Sequence, residues 1–375
     1  MERWQKRFPE ADANGDGVLT AEEAIAYRNG VSGGSADSGK DDSAQPRVPE
    51  LTFDPGWDRG RFPDHAVSLK SPEEIKAIYA RVADTDKPVV SYPKQKNGVV
   101  RIIGTGHSFM APGYKTLPLI CEAAGFEQPL YTHTGGGITG SARYKWEQEN
   151  GIFEFDGKPM PKLLASIANA QWDVMLWGPY YSDRPEFYTC WIDFCLKYQS
   201  KDMKFYLTDA WIQLGQLDEN PTSESFYTEA VIDRLGKQRR EGYAQLVEAI
   251  REKSVKDVYI IPTSDAMTLA AKYYVRGELP GVEGIHKLVG GKERSLWRDQ
   301  IGHLGPGFER LEGYVFYATV YRKSPELIKQ PIAFEGDSSY PGEELDKIFR
   351  HIAWLAVTGH PLSGVTDANG DGIGD

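Results

Sequence analysis

The sequence predicts an α/β protein: a three-layer α/β/α sandwich around a mainly parallel five-stranded sheet, with short terminal appendages. Two observations carry this. Five short runs, VVRIIG (99–104), PLYTH (129–133), DVMLW (173–177), MKFYLT (203–208) and DVYIIP (257–262), are nearly continuous in aliphatic and aromatic residues, the signature of strands covered on both faces. A longer segment of helical period follows each one, which is the alternation of a parallel sheet wound by helices. In open sheets of this kind the ligand site lies at the carboxyl ends of the strands, so the residues just after each run take priority.

Composition sets the outer limits. The 375 residues are 26% charged and 40% hydrophobic, with a formal net charge of −11, so the body can bury a large core and disorder is not the default. Such a charge repels phosphate backbones and anionic membranes and favours cations; nucleic acid is not an expected partner. No apolar run reaches the roughly 18 to 20 residues of a membrane span, and the opening MERWQKRFPEADANGDG lacks the apolar core of a signal peptide. Cys121, Cys190 and Cys195 form no disulfide framework, and five residues is a poor helical spacing for a bridge, so buried packing is expected.

Four regions follow. Residues 1–29 form an EF-hand-like unit, 30–50 a Gly/Ser/Asp/Pro-rich linker, 51–360 the α/β body and 361–375 a second calcium-loop tail. In DANGDGVLTAEE, Asp12, Asn14, Asp16, Thr20 and Glu23 place oxygens at loop positions one, three, five, nine and twelve. Gly17 supplies the sharp turn, and Val18 offers its carbonyl. A hard cation needing six to eight oxygens explains that spacing. The tail repeats it with Asp367, Asn369, Asp371, Ile373 and Asp375 around Gly372, and its twelfth position falls beyond the chain. It resembles the calcium repeats of dockerin-like modules. Structural calcium is therefore the expected cofactor. Met-rich helices for a sensor groove are lacking, which argues against signalling.

GTGHSFM follows the first strand and puts Ser108 at the carboxyl edge of the sheet, just ahead of a helix predicted from near Pro112. A hydroxyl there can attack a carbonyl, and a backbone N–H at a helix start can stabilise the oxyanion. Asp299 and His303 precede the last long helix of LWRDQIGHLGPGFERLEGYVFYATVYRKSP, where an imidazole can take the serine proton and a carboxylate can fix its tautomer. A serine after the first strand, with an Asp and His before a YxxYATVYxKSP segment, resembles the SGNH (GDSL-type) hydrolases over most of residues 99–325.

That resemblance implies a flavodoxin-like sheet and a Ser108–His303–Asp299 triad. It also implies an oxyanion hole from the Ser108 amide, from Gly136 or Gly137 in THTGGGITG, and from Gly178 in WGPYYSD. Three departures stand out: His107 precedes the serine, the family's third-block asparagine is missing, and the terminal block reads DxxxH, with Gln300 where the family's spacing puts the acid-to-His offset. The third oxyanion donor is then a backbone amide, a water, or a hydroxyl of Tyr180 or Tyr181. Zinc on His107, His133 and His303 is an alternative that no ligand spacing supports.

Aromatic residues, 12% of the chain, include Trp146, Trp177, Trp211 and Trp297 in predicted edge loops, whose faces suit sugars. Many relatives of the family that carry calcium modules act outside the cell on acylated carbohydrates. The resemblance thus implies a carbohydrate esterase, secreted or periplasmic, with its signal peptide absent from this sequence. The alternatives are a catalytically degenerate carbohydrate-binding protein and a calcium-binding scaffold.

Overall fold

The computed structural model describes residues 98–134, 163–179, 183–217, 220–254, 257–332 and 340–375, with short pieces at 52–53, 67–68, 140–141, 143–144, 147, 153–155, 158–160 and 334. The EF-hand-like loop at 12–23, the 30–50 linker, Gly136, Gly137, Trp146, Tyr180 and Tyr181 lie outside them. The chain divides between Thr52 and Phe53, and the α/β body belongs to the second part.

All five apolar runs form strands of one parallel sheet: β1 (Ile102–Gly106), β2 (Leu130–Thr134), β3 (Val174–Trp177), β4 (Lys204–Thr208) and β5 (Val258–Ile261), in the order β2-β1-β3-β4-β5. Every residue of β1 and β3 is buried, as two-sided cover requires. The first strand ends later than expected. Gly106, in the GTGHSFM segment that the sequence places after the strand, is paired on β1, where it opposes Thr134, as Gly104 opposes Thr132 and Leu176. Ladders on both sides override the local preference of glycine for turns.

Helix α1 (Ala111–Ala123) joins β1 to β2; α2 (Leu163–Asn169), α3 (Glu186–Tyr198) and α4 (Glu229–Lys253) lead on to β5. Right-handed crossovers in this strand order send α1 to one face and α2, α3 and α4 to the other. Beyond β5 come α5 (Thr263–Val275), α6 (Phe308–Tyr321) and α7 (Gly342–Gly359), and α6 packs against α1 and α7. Three layers result. The order reverses between β1 and β3, which is the switch point where ligands bind in such sheets. Helix α6 is buried nearly all round; Phe308 and Phe316 have no exposed surface, and each contributes about 1.5–3 kcal/mol by burial.

The three cysteines are buried free thiols, as their spacing predicts. The tail is tied to the body: Ser324 N–H donates to Gly372 O at 2.7 Å, Gly374 N–H to Arg322 O at 2.8 Å, and Trp354 Nε1–H to Asp367 Oδ2 at 3.0 Å. Among the described residues no helix is long and apolar enough to cross a membrane.

Candidate active site

Strand β1 delivers the chain to the switch point, and the helix that follows takes shape at once. Met110 and Ala111 donate their amides to His107 O at 2.9 and 3.1 Å, opening α1 and leaving Ser108 exposed on the turn between. The Ser108 amide has no acceptor among the described residues, although it stands beside a helix start that favours negative charge. His107 Nδ1 accepts the Phe109 amide at 3.3 Å. Desolvation first, and the neighbouring His303 second, push His107 down to about 4, so its imidazole stays neutral near pH 7.

The second arm is a short loop between β7 (Ser295–Trp297), which pairs in parallel with β6 (Gly284–His286), and α6. Trp297 bridges Leu304, Arg298 N–H donates to His303 O at 2.9 Å, and Gly305 N–H donates to Leu296 O at 2.7 Å. The tip turns through Gly302, at φ 82°, whose amide donates to Asp299 O at 2.9 Å. This left-handed residue absorbs the extra position of DxxxH. Asp299 remains in place as His303's partner: its Oδ2 accepts the Nδ1–H of His303 at 2.7 Å, and its Oδ1 accepts the His303 amide at 3.1 Å.

A carboxylate can only accept, so the imidazole proton sits on Nδ1 and leaves Nε2 as an acceptor. Nε2 faces Ser108 Oγ at 2.9 Å. Ser108, His303 and Asp299 thus form one hydrogen-bonded chain drawn from positions 195 and 4 residues apart. Burial opposes ionisation of Asp299, but the bonds from the His303 ring and amide outweigh it and hold the carboxyl below its usual range.

Gly178 requires a correction. Its amide donates to Thr105 O at 3.1 Å, continuing the β1–β3 ladder, and so is not free for an oxyanion. Its lack of a side chain serves packing: a Cβ there would meet Gly106 Cα at 3.0 Å and Met110 Cβ at 3.1 Å, closing the crossing beneath Ser108. Two of the expected sugar-facing aromatics are buried instead, Trp177 with no exposed surface and Trp211 with 3%. Trp297 is partly exposed, and His133 lies on β2. In the tail, Asp367 Oδ1 accepts the Gly370 and Asp371 amides at 2.9 and 3.1 Å, and Asp371 Oδ1 accepts the Ile373 amide at 2.8 Å. Asn369 Oδ1 accepts the Asp371 amide at 3.1 Å, and Asp375 Oδ2 accepts the Ala368 amide at 3.0 Å. No cluster of three or more His, Cys, Asp or Glu side chains in metal-holding geometry occurs among the described residues.

Phe109 escaped the sequence reading as a positioning residue, and Trp211, expected to face sugars, takes that role instead. Phe109 stacks on His303 with ring centroids 5.5 Å apart and meets Trp211 at 5.4 Å. Trp211 in turn donates its Nε1–H to Gly302 O, clamping the tip of the loop. The available signal was position: Trp211 follows β4 by three residues, at the carboxyl edge of the sheet.

No protein-family model matches the sequence, and no curated protein does. Among solved structures, a DUF4886 family protein from Bacteroides uniformis ATCC 8492 is similar at 15% sequence identity and a TM-score of 0.46. The match covers 69% of this chain and 95% of that chain.

Proposed function

We propose that this chain is a serine ester hydrolase of SGNH type that deacylates O-acylated, for instance O-acetylated, carbohydrates or small esters outside the cytoplasm. The observation that carries the reading is the Ser108 Oγ–His303 Nε2–His303 Nδ1–Asp299 chain, at 2.9 and 2.7 Å. His303 Nε2 takes the Ser108 proton as Oγ attacks the ester carbonyl, and Asp299 stabilises the imidazolium. The Ser108 amide receives the oxyanion, and the family resemblance assigns a second donor to Gly136 or Gly137. The tetrahedral adduct collapses, His303 protonates the departing alkoxide, and water repeats the sequence to release the acid and restore Ser108.

Calcium belongs to the reading as a structural ion, outside every catalytic step. Its candidate ligands are Asp12, Asn14, Asp16, Val18 O, Thr20 and Glu23 in the first loop, and Asp367, Asn369, Asp371, Ile373 O and Asp375 in the tail. Both sets are all oxygen, the chemistry that suits this cation.

The test is hydrolysis of p-nitrophenyl acetate. Ser108→Ala and His303→Ala are each expected to lower turnover by several orders of magnitude, with the double variant scarcely worse than either, because the residues act as a unit. Near-normal turnover in folded Ser108→Ala would remove the serine mechanism. Two observations favour a second reading, a carbohydrate-binding protein without turnover: the missing asparagine and the committed Gly178 amide leave the oxyanion hole short of a donor. That reading expects wild-type protein to bind acylated sugar without hydrolysing it.

A further inference from the structure

Away from Ser108, a pocket opens between α4, α5 and the segment after β4. It occupies about 490 Å³ with the open solvent at its mouth included. Trp211, Leu214, Leu217, Tyr227 and Trp297 give it apolar, largely aromatic walls, and Arg239 is the one residue with a formal positive charge among its lining residues. The half-buried guanidinium donates Nε–H to Ala210 O at 2.8 Å and lies 5.3 Å over the Tyr243 ring. No carboxylate among the described residues forms an ion pair with it. Asp209, a carboxyl on which its charge acts, is pushed up to about 7 by burial and forms no ion pair with it. A cation in an apolar recess without a paired anion attracts one from solution, and a planar guanidinium suits a carboxylate.

We infer that this pocket binds a small organic carboxylate with an aromatic or branched aliphatic body, the carboxylate on Arg239 and the body between Trp211 and Trp297. The inference is independent of ester hydrolysis. The two meet in Trp211, which walls the pocket and holds the carbonyl of Gly302 in the His303 loop.

Calorimetric titration of the full chain with trans-cinnamate and with its neutral amide tests it. The acid is expected to bind saturably and at least about tenfold tighter than the amide, the size of one charge-assisted contact. Arg239→Gln should erase that preference by weakening the acid alone, Arg239→Lys should restore part of it, and Ala271→Leu, which fills the pocket from α5, should weaken both probes. The same titration after treatment with phenylmethylsulfonyl fluoride separates this pocket from the Ser108 site: binding should persist. No saturable binding below about 10 mM, equal affinity for acid and amide, or loss of binding upon sulfonylation would each overturn the assignment. A protein that resists sulfonylation and hydrolyses nothing would undercut the hydrolase reading, while its cinnamate isotherm would still decide this one.

Discussion

Replacing Asp209 by asparagine should stabilise the protein, and increasingly so as pH rises from about 4 to 7. Asp209 follows β4 and is 1% exposed. Its Oδ1 accepts the Thr263 hydroxyl at 3.0 Å and the Ser264 amide at 2.7 Å, while Oδ2 is buried without a partner. Burial first and the nearby Asp265 second push the carboxyl up to about 7, against the pull of those two bonds. In the unfolded chain an aspartate ionises near about 3.9. Between about pH 4 and 7 the native state therefore holds a proton that the unfolded state has lost. Stability falls as pH rises through that window and is level above it. About three pH units correspond to a penalty on the order of 3–4 kcal/mol at pH 8. Asparagine cannot ionise, and its Oδ1 can keep both accepted bonds. Denaturant unfolding should place Asp209→Asn about 1–2 kcal/mol above wild type at pH 5 and about 3–4 kcal/mol above it at pH 8. A difference that does not change between pH 5 and pH 8, or a variant less stable at pH 8, would refute the argument.

Three further outcomes are expected. Asp299→Asn should lower kcat for p-nitrophenyl acetate about 10²–10³-fold, or roughly 3–4 kcal/mol, because the ring and backbone N–H groups of His303 bond to different carboxylate oxygens and one of these becomes an NH2 donor; a change under threefold would show that Asp299 does not orient the imidazole. Gly302→Ala combines a left-handed residue, φ 82°, with a Cβ 2.7 Å from Trp211 Nε1. It should cost about 1–3 kcal/mol in melting experiments and reduce turnover, and wild-type behaviour in both would count against the clamp. Millimolar calcium should raise the thermal stability of the N-terminal unit, with Glu23→Gln weakening the effect and chelators leaving esterase turnover nearly unchanged; calorimetry that detects no calcium binding at about millimolar concentration would end that reading.

Strand positions were legible because a strand covered on both faces must be apolar along its length, so DVMLW and MKFYLT mark β3 and β4 without knowledge of neighbours. Helix α1 was legible for a similar local reason, with Pro112 pre-set for a first turn. The residue types of the candidate triad were legible too, since Ser108 follows a strand and Asp299 and His303 precede a helix. Their convergence was not: Ser108 and His303 are 195 positions apart, and no local pattern encodes a 2.9 Å contact at that separation.

Periodicity misleads where tertiary contacts pay for a local cost. Gly104 and Gly106 belong to β1 because β2 and β3 pair with it on both sides. Glu312 belongs inside because α6 is enclosed by α1 and α7, and burial holds its carboxyl well above the usual range. The amide of Gly178 is taken by Thr105, and Trp211 is buried against the His303 loop. The sequence by itself determined which segments are strands and helices and which side chains carry chemistry, because apolar period and residue type are local properties. Strand order, the tilt of the Asp299–His303 loop onto Ser108 and the fate of each backbone N–H were decided only by the tertiary structure, because each depends on a partner brought from far along the chain.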